Sequence, residues 1–128
     1  MDSPQDLRVL VVEDNDKNLK LVRDLLQFRG ITATEARSGR EALDAAAGCC
    51  PHIVLLDIDL PDMPGTEVLE ALRLLEGMAS VPVVAVTAYA MKGDAERLLA
   101  AGFDSYIAKP IDVRTFVDTV VAQASAGG

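Results

Sequence analysis

Asp57 closes the run Ile53-Val54-Leu55-Leu56, and a carboxylate in that place is a candidate for chemistry. A short apolar run rich in branched side chains reads as a strand buried on both faces, as in a parallel sheet. The carboxyl-terminal edge of such a sheet is where ligands bind. Other strand-like runs end in comparable groups: Arg8–Val12 in Glu13 and Asp14, Val81–Val86 in Thr87, and Ser105–Ala108 in Lys109. In a parallel sheet these ends point the same way, so residues spread over roughly a hundred positions converge. Three crowded carboxylates repel one another, and burying them unpaired is costly. A hard divalent cation resolves that repulsion; magnesium prefers oxygen ligands, keeps several waters and helps hold phosphates. A hydroxyl from Thr87 and a cation from Lys109 are what a bound phosphoryl group needs. The set has the parts of a phosphoryl-transfer site, with Asp57 as the carboxylate nucleophile.

Taken singly, each residue has a plainer reading. An Asp after a strand is usually a turn or cap residue. An acidic pair there is usually a helix N-terminal signal. Thr is β-compatible, and Lys-Pro is a common surface dipeptide. It is their joint fall at successive strand ends, in this order, that favours function.

The elements that must position these groups follow from the pattern. Asn15 or Asp16 caps a helix carrying Leu19, Leu21, Val22, Leu25, Leu26 and Phe28, with Gly30 as its stop. Ile31–Ala36 reads as a shorter, more polar strand nearer the sheet edge. Ser38 caps a second helix over Gly39–Ala47, with Gly48 and Pro51 as punctuation. Leu60–Gly65, with two prolines and a glycine, is irregular. A third helix is expected from Thr66 to about Glu76. Pro82 stands near the start of the fourth strand, where a missing N–H is tolerated. A weakly hydrophobic helix over about Gly93–Ala101 ends at Gly102. Asp112 caps a last helix from Val113 to about Ala124, leaving 125–128 as a flexible tail. The result is a βα unit repeated five times, hence an α/β fold with a doubly wound five-stranded parallel sheet. Right-handed crossovers favour the strand order 2-1-3-4-5.

At 128 residues the chain is expected to be a single domain over 1–128, with a core of about 7–124. A net charge of −8 argues against nucleic acid, whose phosphates call for a basic footprint. No apolar run is long enough to span a membrane and Met1–Leu7 has no signal-peptide pattern, so a cytoplasmic location is expected. Cys49 and Cys50 are adjacent and lack metal-ligand spacing; they read as small residues near a helix end. His52 precedes a buried strand and lacks the helical setting of a phosphotransfer histidine.

Four motifs carry a resemblance over about Leu7 to Ala124: Val-Val-Glu-Asp-Asn (11–15), Leu-Leu-Asp-Ile-Asp-Leu-Pro-Asp-Met-Pro-Gly (55–65), Val-Ala-Val-Thr-Ala (84–88) and Tyr-Ile-Ala-Lys-Pro (106–110). In order and spacing the chain resembles the receiver domain of two-component response regulators, a CheY-like, flavodoxin-like fold. The segment 87–94 looks like that of DivK-type single-domain regulators and of receivers attached to hybrid histidine kinases. The resemblance implies that Asp57 accepts a phosphoryl group from a phosphohistidine on a histidine kinase or histidine phosphotransfer protein. It implies magnesium, or manganese in its place, held by the side chains of Asp14 and Asp57, the backbone carbonyl of Asp59, and Glu13 through water. Lys109 would pair with the phosphoryl oxygens. Thr87 would turn its hydroxyl to the phosphoryl group, and Tyr106 would move inward behind it. Ala88 is small, as access to Asp57 requires, and Lys109-Pro110 matches the family's cis peptide. The implied output is contact with a downstream protein through the fourth helix, fifth strand and fifth helix, by a monomer or weak dimer whose only catalysis is its own phosphorylation and dephosphorylation.

Asp59 and Tyr89 are less standard: one adds a carboxylate near the site, the other a bulky ring. Two alternatives compete with this reading. Asp57-Ile58-Asp59 resembles the Asp-x-Asp of haloacid-dehalogenase phosphatases, but the acidic pair here comes first in the chain and no room remains for a cap. A degenerate receiver acting as a constitutive binding module is disfavoured by the intact set Glu13, Asp14, Asp57, Thr87 and Lys109.

Overall fold

A computed structural model describes residues 7–88 and 91–127; Tyr89 lies outside the described residues. The elements alternate: β1 (Arg8–Val12), α1 (Asp16–Phe28), β2 (Thr32–Ala36), α2 (Gly39–Cys49), β3 (Ile53–Asp57), α3 (Gly65–Leu74), β4 (Val83–Thr87), α4 (Lys92–Ala101), β5 (Ser105–Ala108) and α5 (Phe116–Gly127). The five strands are parallel in the order β2-β1-β3-β4-β5. The expected α/β topology is the one observed.

Side chains alternate across a strand, and here the alternation divides the core in two. Leu10, Val12, Val54, Leu56, Val83 and Ala85 pack with Ala42 and Ala46 of α2, Val68, Leu69 and Leu72 of α3, and Leu98 of α4. Val9, Val11, Ile53, Leu55, Val84 and Val86 pack with Leu19, Val22 and Leu26 of α1 and Phe116, Val117 and Val120 of α5. β3 is buried along its whole length, which is why its sequence is a continuous apolar run. β2 is an edge strand and is only partly buried, in keeping with its polar sequence Thr-Ala-Thr-Glu-Ala.

Several boundaries differ from the sequence reading, each for a local reason. α2 continues through Gly48 and ends at Cys50, a non-glycine residue at φ +47°. The Arg8 guanidinium fixes that end by donating to the Cys50 carbonyl from Nε at 3.1 Å and Nη2 at 3.0 Å. α3 starts at Gly65 and stops at Leu74, because Leu75 is already extended and the chain turns at Gly77, φ +81°. α5 starts later than expected. Asp112 first organises a turn, its Oδ1 accepting from Arg114 N–H at 3.0 Å and its carbonyl from Phe116 N–H at 3.0 Å. The helix then runs to Gly127, so Ser125 is helical rather than part of a flexible tail; Gly128 lies outside the described residues.

Leu56 is fully buried between β1, β4 and the α2–α3 layer. Leu56→Ala should lower the unfolding free energy by about 2–5 kcal/mol, the cost of lost burial plus the cavity left behind. Urea denaturation of both proteins measures this; a loss of under about 1 kcal/mol would contradict the packing described.

Candidate functional site

The sheet's carboxyl-terminal edge holds three buried polar residues among the described chain: Glu13, Asp57 and Thr87. Their strands and the strand alternation explain how they meet. Glu13 follows Val9 and Val11 in phase, Asp57 follows Ile53 and Leu55, and Lys109 follows Ile107, all on the α1–α5 face. Thr87 is in phase with Val83 and Ala85, on the opposite face.

Lys109 joins the two buried acids. Its Nζ lies 3.1 Å from Glu13 Oε1 and 3.1 Å from Asp57 Oδ2. The Lys109 backbone N–H donates to the Thr87 carbonyl at 2.8 Å, and the Lys109-Pro110 peptide bond is cis. The other Asp57 oxygen, Oδ1, accepts from the Asp59 N–H at 2.9 Å. Glu13 Oε2 accepts from Asn15 N–H at 3.2 Å. Asn15 then caps α1, its side chain accepting from the N–H groups of Lys17 at 3.0 Å and Asn18 at 3.1 Å. The turn that ends β1 therefore fixes Glu13 and starts α1 in the same four residues.

Asp14 is exposed, but it reaches the same place. Glu13, Asp14 and Asp57 each offer a carboxylate oxygen within 4.8 Å of the others. An all-oxygen, all-carboxylate set suits a hard cation such as magnesium or manganese and not zinc or copper. Asp59 is exposed next to this cluster. Thr87 is fully buried, one residue beyond Val86, the cross-strand partner of Asp57. Tyr106 pairs in register with Ala85 and so shares a sheet face with Thr87; the residue is 36% exposed. Ala88 is exposed beside Thr87.

Crowding shows in the protonation states. Burial, then the hydrogen bond and charge of Asp57, raise Glu13 from 4.5 to about 7. Burial also pushes Asp57 upward, but hydrogen bonds from Glu13, the Asp59 N–H and Lys109 outweigh it and hold Asp57 below its ordinary value. The two shifts run in opposite directions, so of this interacting pair Glu13 is the acid that takes up a proton more readily. Burial works against the Lys109 charge, and its two carboxylate partners more than compensate, leaving its pKa raised.

Residues 9–121 match the response regulator receiver domain. The chain belongs to that family. The receiver is 47% identical to the polar-differentiation response regulator DivK of Brucella ovis, over 88% of this chain and 91% of that protein. DivK of Brucella anthropi is 46% identical over the same shares. Among solved structures, the receiver domain of a Pseudomonas aeruginosa sensor histidine kinase superposes with a TM-score of 0.84 at 29% identity, covering 93% of this chain and 98% of that one. That structure carries a magnesium ion in its active-site cleft. Vibrio cholerae CheY4 superposes with a TM-score of 0.85 at 26% identity, covering 91% and 97%. This receiver is thus a signalling domain of two-component systems with an acidic site compatible with magnesium.

The partners of two local polar groups were not legible in the sequence. His52 sits at the far end of the sheet, where its Nδ1 accepts from the Arg8 N–H at 2.9 Å, which is a structural task. Asp62, in the loop after β3, accepts from the N–H groups of Gly39 at 2.8 Å and Arg40 at 3.1 Å. Nothing in the local sequence ties Asp62 to a helix that begins more than twenty positions earlier; its Pro-Asp-Met-Pro setting signals only a turn.

The raised Glu13 pKa has a stability consequence in metal-free protein. Between about pH 4.5 and pH 7 the folded state keeps a proton that the unfolded chain has released, so this stabilisation is complete below 4.5 and is lost as pH rises through about 7. Asp57 acts in the opposite sense, its contribution disappearing only on acidification below the ordinary carboxylate range. With EDTA present, the melting-temperature difference between wild type and Glu13→Gln should shift against wild type across that window. Parallel curves for the two proteins would contradict the raised Glu13 pKa.

Proposed function

We propose that this receiver is a phosphoacceptor whose Asp57 takes a phosphoryl group from a phosphohistidine. The donor is a histidine kinase or a histidine phosphotransfer protein. In the transfer the histidine N–P bond breaks, a bond forms between a carboxylate oxygen of Asp57 and phosphorus, and the imidazole leaves. The observation that carries this reading is the buried Asp57, one oxygen facing Lys109 Nζ at 3.1 Å and the other held by the Asp59 N–H at 2.9 Å. A carboxylate gripped at both oxygens is oriented for attack, and the lysine is already present where phosphoryl charge arrives.

Magnesium, with manganese as a substitute, would be held by Asp14 and Asp57, by the Asp59 carbonyl, and by Glu13 through water; it supplies charge neutralisation for the phosphoryl oxygens. Protonation of Glu13, whose pKa is raised, competes with any cation bound there. Lys109 pairs with phosphoryl oxygens, and Thr87 donates its hydroxyl to them. The catalysis is confined to the domain's own phosphorylation and dephosphorylation. A net charge of −8 favours protein contact over nucleic acid as output. That output is contact with a downstream protein by the face of α4, β5 and α5, in the cytoplasm, from a monomer or weak dimer. Among the described residues no helix is long and apolar enough to cross a membrane. The likeness to DivK over most of both chains supports a response-regulator role for this receiver.

Two experiments test the reading. Asp57→Asn keeps the shape of the acceptor but removes its nucleophilic oxygen, so it should take no label from a phosphohistidine donor, and EDTA should abolish labelling of wild type. Wild-type levels of label on the Asn variant would overturn the assignment. For the switch, a phosphoryl mimic shifts a conformational equilibrium only through contacts that differ between states. Thr87→Ala should bind beryllium fluoride yet lose most of the gain in partner affinity, typically about 5- to 150-fold. An equal gain in both proteins would remove Thr87 from the route.

A further inference from the structure

The β3–α3 loop, residues 58–64, carries Asp59 and needs something to hold it. Its ends are closed by the chain itself. Ile58 N–H donates to the Val86 carbonyl at 3.3 Å, extending the β3–β4 ladder, and Gly65 N–H donates to the Ile58 carbonyl at 3.3 Å. A Cβ on Gly65 would lie 2.8 Å from Ile58 Cα, so the loop closes only with glycine there. Its middle is held from outside, by the N-terminus of α2. The Asp62 carboxylate accepts from Gly39 and Arg40 N–H, one oxygen each. Beside it Met63 lies over Gly39 so closely that a Cβ there would stand 2.5 Å from Met63 Cγ and 2.9 Å from Val68 Cγ2.

α2 does not need Asp62 merely to begin. Ser38 already caps it, Oγ accepting from Glu41 N–H at 3.1 Å, and the Glu41 carboxylate accepts from the N–H of Arg37, the residue before the cap, at 3.2 Å. The Asp62 bonds are additional, charge-assisted, and link two loops. The segment they reach is tied to the other half of the acid cluster. Glu13 N–H donates to the Ala36 carbonyl at 2.9 Å, and the next residue, Arg37, pairs with Asp16 at the start of α1. Glu13 and Asp14 are thus referenced to residues 36–39 from one side, and Asp57 and Asp59 from the other.

We propose that Asp62 is a positioning residue for the phosphoacceptor site: its two bonds to the α2 N-terminus fix the loop bearing Asp59 relative to Glu13 and Asp14. This rests on the reading of Asp57 as a magnesium-dependent phosphoacceptor. Asp62 touches neither Asp57 nor the cation site; it acts through the loop. A role limited to helix capping would show only in the amides of α2, whereas positioning must also show at Asp59, whose N–H holds Asp57 Oδ1.

The test uses the full chain, wild type, Asp62→Asn and Gly39→Ala. Asn accepts from one N–H but presents its amide to the other; Gly39→Ala displaces Met63 and loosens the same mooring from the α2 side. Amide exchange by NMR in EDTA should speed up by about tenfold or more at Asp59 as well as at Gly39 and Arg40, and titration with magnesium chloride should show affinity weakened by about tenfold, as for other residues that orient metal ligands. Exchange faster only at Gly39 and Arg40, with Asp59 and magnesium affinity as in wild type, overturns the proposal and leaves Asp62 a helix cap. Should Asp62→Asn fail to fold, Gly39→Ala decides the same question. If wild type binds no magnesium, the phosphoacceptor reading itself fails; if wild type binds and Asp62→Asn binds equally, only this inference does.

Discussion

A half-buried lysine set between two buried carboxylates at the end of a parallel sheet is the interaction on which the rest of the structure depends. Taking charges from water costs several kcal/mol per ion, and only good geometry returns that cost. Lys109 meets both acids at 3.1 Å, and each acid has a further backbone N–H. No buried side-chain polar atom among the described residues lacks a partner. The arrangement is satisfied, yet still tense, since burial and the neighbouring Asp57 carboxylate push the Glu13 pKa up to about 7. Such a site is poised for an added cation, because a cation relieves the repulsion that protonation of Glu13 relieves in its absence. Only a parallel sheet brings strand ends from positions 13, 57 and 109 to one edge without long loops.

The strand alternation adds a division of labour. Glu13, Asp57 and Lys109 lie in phase on the α1–α5 face, while Thr87 and Tyr106 are in phase on the face of α2, α3 and α4. A group added to Asp57 sits at the edge between these faces and is the one point from which both are reached. In the proposed switch, Thr87 is the residue that carries a change across that edge. Its burial gives this a physical basis, since a side chain packed at 0% exposure leaves a volume that a neighbour must fill if it moves.

Much of this was legible in the sequence, for identifiable reasons. β3 reads as a strand because both of its faces are buried, and the same burial makes Asp57 conspicuous. Asn15 and Ser38 announce their helices because capping is local chemistry. The errors lie where distant groups decide a local outcome. α2 runs past Gly48 because Arg8, some forty positions upstream, bonds the Cys50 carbonyl. Asp62 looks like any turn aspartate because its partners, Gly39 and Arg40, belong to another element. The late start of α5 is a subtler case, since Asp112 is indeed a capping residue but caps a turn that precedes the helix.

The helices are not held equally, and the difference falls where a switch would use it. α1 buries Leu19, Val22 and Leu26, and α3 buries Gly65, Val68, Leu69 and Leu72. α4 buries only Leu98 among its described residues. Its N-cap, Met91, offers no side-chain hydrogen bond and is itself exposed. Its other end is fixed: Gly102 closes the helix at φ +112°, and the Arg73 guanidinium donates to the Gly102 carbonyl at 3.3 Å and to Asp104 at 2.8 Å. Asp104 also accepts from Val83 N–H at 2.8 Å, tying that clamp to the start of β4. Among the described residues, then, α4 is anchored at its C-terminus and buries no side chain before Leu98. Displacing a helix costs least where the fewest apolar contacts are lost. In the proposed switch, a modest free-energy difference at Thr87 would act on a helix with little buried apolar surface to lose, leaving the sheet that holds Asp57, Glu13 and Lys109 together.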